Sequence, residues 1–178
     1  MIATLVLLVV GLLVLVLQGA LTTFLPAALC PDFVLLIVIG LALHVGGARA
    51  LLVAALLGYA GDLLSGAPLG EHALLRVLAF GAARAANRSL ELRTPIAQAT
   101  LAGVLTLLQG VVLVGLAWLL EGRIPVDART LAWLGAQTVL NAAFAPGVGM
   151  VVDAIASRAG EEEAPRRPVA LGNGRRAP

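Results

Sequence analysis

The chain has 178 residues and a mean hydropathy of +1.01; 60% of its residues are apolar and only 12% are charged. Soluble domains carry about 25% charged residues, so this composition excludes a soluble globular fold and describes an all-α integral membrane protein. The formal charge of +2 rests on twelve scattered arginines and no lysine, which excludes a nucleic-acid footprint, and the lone Cys30 excludes an internal disulfide.

A helix needs about 20 apolar residues to cross the hydrocarbon core, and charges, prolines and glycines divide the chain into six such segments. The first, 3–25, ends before Pro26. Residues 1–31 carry no charge, so the basic start of a signal peptide is missing and the segment is expected to stay as a helix. The second, 32–47, ends in "HVGG" and holds His44, read as an interior histidine rather than a ligand.

The third segment, 49–65, carries Asp62 before its apolar run has finished. A carboxylate deep in a span costs about 2.5–3.5 kcal/mol on insertion scales, so Asp62 must face protein or water and have a partner. The turn "GAPLG" at 66–70 brings the next helix back alongside, with His72 and Arg76 within reach. Gly66 suits a left-handed helix end, Pro68 restricts the turn and Glu71 favours a helix start. Ala54 and Gly58, then Gly61 and Ser65, form small-xxx-small spacings that let helices approach closely. The corner 58–70 reads either as a capped hairpin with a neutralised Asp62 or as a fixed surface presented to a partner.

The fourth segment, 70–88, places Arg76, Arg84 and Arg88 on one broad face, and its alanines make it slim enough for the middle of a bundle. Arg84 to Arg93 suit headgroups of membrane lipids equally well. If this segment does not cross, five spans remain. The fifth, 95–120, runs from Pro95 to Glu121-Gly122, and the sixth, 128–156, is expected to bend at Pro146-Gly147. Gln137 and Asn141 share a face of the sixth, where they can bond to Gln98, Thr106 or Gln109 as interhelical polar contacts. A single transmembrane domain, 1–157, is then followed by an Arg- and Pro-rich tail, 158–178, expected to be disordered.

Nine arginines fall on the side of the N-terminus and three (Arg76, Arg123, Arg129) on the other, which predicts a compact six-helix bundle with both termini in the cytoplasm. Outside the membrane only about 26–31, 66–69 and 121–127 remain on the far side, leaving no room for a soluble catalytic domain. No zinc-protease, serine-hydrolase or phosphate-loop motif occurs. "GYAGD" approaches the Gly-x-Gly-Asp motif of intramembrane aspartyl proteases, but Tyr59 stands where its first glycine belongs. The second aspartate, Asp153, falls at the opposite membrane face, where it cannot share a proton with Asp62. No catalytic residue, metal ligand or cofactor site is expected.

The block "GYAGDLLSGAPLGEHALL" at 58–75, with "PDFVLLIVIGLAL" at 31–43 and "QTVLNAAFAP" at 137–146, resembles the MreD family of rod shape-determining proteins. Gly58, Tyr59, Gly61, Asp62, Leu63, Ser65, Gly66, Pro68, Leu69 and Gly70 match that family's central pattern. The polar Glu71 and His72 depart from it, and the tail is longer than it requires. The resemblance implies a non-enzymatic component of the bacterial elongation machinery in the inner membrane. Its partner would be MreC, and through MreC the filament protein MreB, the glycosyltransferase RodA and a class B penicillin-binding transpeptidase; a homodimer also fits. A rival of another class is the substrate-binding membrane subunit of an energy-coupling-factor transporter, which shares the six-helix architecture. The chain's seven aromatic side chains give that rival few groups to hold a ligand.

Overall fold

The computed structural model describes residues 2–24, 26, 29–66, 68–90, 92, 94–122 and 127–159. Within them lie six helices and no strand: α1 Ile2–Leu21, α2 Phe33–Gly40, α3 Gly47–Ser65, α4 Glu71–Ser89, α5 Pro95–Glu121 and α6 Ala128–Arg158. A π-helical turn, Leu41–Val45, extends α2. Each expected segment holds one helix. The first ends earlier than its hydropathy suggests, at Leu21, where Thr22 and Thr23 turn their hydroxyls back onto the carbonyls of Gly19 and Ala20. The last runs without interruption through Pro146. Of the expected tail, residues 160–178 lie outside the described residues.

Four helices, α1, α3, α5 and α6, are long and apolar enough to cross a membrane. The other two differ in kind. With its π turn, α2 forms an apolar helix of 13 residues, Phe33–Val45, and α4 has 19 residues carrying three arginines.

A helix apolar on every side must be enclosed by protein, and every residue of α2 from Val34 to Gly40 is buried. It is the centre of the molecule, with α1, α3, α4 and α6 packed around it. The slim fourth segment lies against one side of α2. Its Leu75, Arg76, Ala79, Phe80 and Ala83 are buried, while Leu74, Leu78, Gly81 and Ala82 face outward. The arginines explain this placement: a helix carrying them can be enclosed only on the face where they find counter-groups.

The contacts fix directions. Arg76 reaches Asp32 at the start of α2, and Arg84 reaches Ala42 near its end, so α2 and α4 run parallel. Gly11 of α1 packs on Leu57 and Leu15 lies beside Gly61, so α1 and α3 also run parallel. The hairpin of α5 and α6 pairs Gly110 with Leu134 and Gly103 with Thr138. From the contact between Arg76 and Gln109, α5 continues to Glu121 for about 18 Å, whereas α4 reaches back to Glu71 for only about 8 Å. The end of α5 therefore stands about 10 Å beyond the start of α4, with Trp118 and Leu119 exposed near it, whereas Trp133, next to Leu134, lies level with Gly110.

Candidate functional site

The corner between α3 and α4 is built on two requirements of the backbone. Gly66 ends α3 at φ 68°, and its N–H donates to the carbonyl of Asp62; Gly70 opens α4 at φ 98°. Both conformations favour glycine. One turn before Asp62, a Cβ on Gly58 would stand 2.6 Å from Ala73 Cα and from the His72 carbonyl oxygen, so at this point the helices meet backbone to backbone.

That approach carries Asp62 over the N-terminus of α4, where four N–H groups lack intrahelical partners. Its carboxylate accepts from the backbone N–H of Gly70 (2.9 Å), His72 (2.7 Å) and Ala73 (3.4 Å), and lies 2.9 Å from His72 Nδ1. The Asp62 side chain is fully buried. An acidic group on a helix N-terminus is favoured both by these bonds and by the helix dipole. Tyr59, Ser65 and Pro68 are exposed at the rim, and Gly61 lies beside the His72 side chain.

Arg76 does not join Asp62, whose oxygens are occupied by the first turn of α4. A turn further into that helix, its guanidinium donates from Nη2 to Asp32 Oδ2 at 2.7 Å and from Nη1 to Gln109 Oε1 at 2.9 Å. It is buried, so it does not act as an outer-loop arginine, and the arginine count becomes nine against two. Asp32 is the residue that sequence reasoning missed. It caps α2 by accepting from Leu35 N–H, and its own N–H donates to Asn141 Oδ1 at 2.7 Å. Asn141 Nδ2 donates in turn to Thr106 Oγ1, which donates to the Ala102 carbonyl. One polar chain thus links α2, α4, α5 and α6 through buried side chains. Gln137, half-buried one turn before Asn141, takes no part in it.

At the other end of α2 the π turn frees carbonyls from the helical ladder, and α4 supplies donors to them. Arg84 Nη1 donates to the Ala42 carbonyl at 3.2 Å and Asn87 Nδ2 to that of Leu43 at 3.3 Å. The Arg84 guanidinium lies against Gly46. Arg84 therefore serves the carbonyl end of α2, where a cation suits the helix dipole. His44 Nδ1 lies 3.0 Å from Asp153 Oδ1 of α6. Among the described residues no group of three or more His, Cys, Asp or Glu side chains could hold a metal.

The arrangement can do two things. It bonds α2 to α4 at both ends and α3 to α4 at the Asp62 corner, and it leaves that corner exposed below the end of α5. The model of a family described as rod shape-determining protein MreD matches residues 1–145. No curated protein and no solved structure matches the chain.

Proposed function

This chain belongs to the MreD family, and from that premise we propose that it is a non-enzymatic scaffold of the bacterial elongation machinery that binds MreC. Membership carries a role in rod shape determination. The reading adds six crossings of the cytoplasmic membrane, both termini in the cytoplasm, and indirect coupling through MreC to MreB, RodA and a class B penicillin-binding transpeptidase.

Four long apolar helices and the arginine bias support the membrane placement. The observation that carries the scaffold reading is the way polar groups are spent. Asp62, Asp32, Arg76, Asn141 and Arg84 are all turned onto neighbouring helices. A site that bound or transformed a polar ligand would leave some of them directed at that ligand. What this bracing leaves outward is the α3–α4 corner, with Tyr59 and Leu69 exposed, stepped below the end of α5 that carries the exposed Trp118 and Leu119. A periplasmic base or a single helix of MreC fits against such a step.

The test is co-purification of the tagged full chain from its own cells in mild detergent, with stoichiometric partners identified by mass spectrometry. Recovery of MreC with cell-wall synthases is expected. Recovery of an ATPase pair with a transmembrane coupling subunit, without MreC, would overturn the reading in favour of a transporter subunit.

A further inference from the structure

We propose that the cleft between α1, α2 and α6 binds one acyl chain of an anionic phospholipid of the cytoplasmic leaflet, with its headgroup against Arg158. The proposal uses the membrane placement given above and is independent of MreC.

The cleft has a volume of about 240 Å³ and a wholly apolar wall that includes Leu7 and Val14 of α1, Ile37 of α2, and Phe144, Val151 and Ile155 of α6. Such a space gives water no polar partner, so in a bilayer it is filled by hydrocarbon. Phe33 and Phe144 close one end, packed edge to face with centroids 5.5 Å apart. From Phe144 to Ile155 the α6 wall rises about 16 Å, roughly half the 30 Å hydrocarbon core and thus the depth of one leaflet. A helix about 10 Å across fills roughly 420 Å³ in each 5.4 Å turn. The cleft is smaller than one such turn and suits a single chain.

The charges select the headgroup. At 100° per residue, Arg158 falls on the same face of α6 as Val148, Val151 and Ile155, one turn beyond the open end. It is exposed. Asp153, the one carboxylate of α6, falls on the opposite face, where it meets His44 at 3.0 Å. Among the described residues, the open end of the cleft therefore presents Arg158 and turns Asp153 away, which suits a phosphate without a compensating ammonium.

The experiment offers the detergent-purified full chain an equimolar mixture of phosphatidylglycerol and phosphatidylcholine and reads retained lipid by native mass spectrometry. One phospholipid per chain is expected, with phosphatidylglycerol favoured at least five-fold. V151W at the mouth of the cleft, and V10W from the facing wall as a second filling variant, should remove the adduct at unchanged helix content and melting temperature. R158Q should keep the adduct and bring the two lipids to near parity. Undiminished lipid in both filling variants, an unchanged preference in R158Q, or a photo-crosslinker at position 151 that captures a protein in native membranes would each overturn the proposal. Orientation is tested separately: S157C labelled from outside intact cells by an impermeant maleimide would overturn the membrane placement, whatever the lipid result.

Discussion

Replacing Arg76 by methionine tests whether the buried ion pair holds the start of the central helix. The substitution keeps much of the side-chain volume and deletes the donors to Asp32 (2.7 Å) and Gln109 (2.9 Å). Asp32 retains only the Leu35 N–H, which leaves a carboxylate enclosed without a counter-charge. Removing one member of a buried pair costs about 3–5 kcal/mol, a large share of the stability of a small domain. Asp32→Asn keeps an oxygen to cap α2, but leaves the guanidinium uncompensated and belongs in the same range. The double variant contains no charge at this place, so its loss should fall short of the sum of the two by at least about 1–3 kcal/mol. Thermal and denaturant unfolding in a fixed detergent, followed by circular dichroism, measures all four proteins. If the double variant loses the full sum, the two residues are not coupled and the account of the polar chain is wrong.

Gly58→Ala should lower stability by about 1–3 kcal/mol, because its methyl meets backbone that cannot move aside without parting α3 from α4; unchanged melting would show that the helices are not in backbone contact. Asp62→Ala strips a charged acceptor from three backbone N–H groups and should cost about 2–3 kcal/mol, with Asp62→Asn intermediate because one oxygen remains. The same ordering is expected for MreC recovered in pull-downs; full recovery with Asp62→Ala would remove the corner from the docking surface. At the start of α6, Asp127 caps the helix by accepting from the hydroxyl and the N–H of Thr130, which holds its carboxyl below the usual carboxylate value. A lowered value means that the cap is intact above about pH 4 and is lost as pH falls through the folded pKa. Carbon-detected NMR titration of labelled Asp127 should give a midpoint below that of an unstructured aspartate, and Thr130→Ala should move it upward.

What could be read in the sequence followed from separation along the chain. The six helices were legible because apolar length and glycine or proline breaks are local signals. The Asp62 corner was legible because its partners, Gly70, His72 and Ala73, lie within eleven residues. Arg76 was misdirected for the opposite reason: Asp32 lies 44 residues away and Asn141 a further 65 beyond Arg76, distances that periodicity cannot bridge. The available signal was subtler. Asp32 follows Pro31 and opens an unbroken apolar run, so it reads as an N-cap; a second carboxylate was needed only once the oxygens of Asp62 were counted as already filled. The π turn at Leu41–Val45 has no local signature beyond "HVGG". Its energetic sense comes from Arg84 and Asn87, which sit more than forty residues downstream.

The two helices that fall short of a span by themselves, α2 by length and α4 by charge, are the two bonded to each other at both ends. Taken alone, α4 would expose Arg76 and Arg84 to hydrocarbon, and α2 would leave Asp32 and the carbonyls of its π turn unsatisfied in the same solvent. Run in parallel and side by side, each supplies what the other lacks: Arg76 answers Asp32 at one end, and Arg84 and Asn87 answer Ala42 and Leu43 at the other. Parallel neighbours cannot be joined by a tight turn, so α3 must return between them. The backbone contact at Gly58 and the Asp62 cap are what hold that return helix in register with α4. These polar residues therefore brace α2, α3 and α4 into one unit with a corner of defined shape.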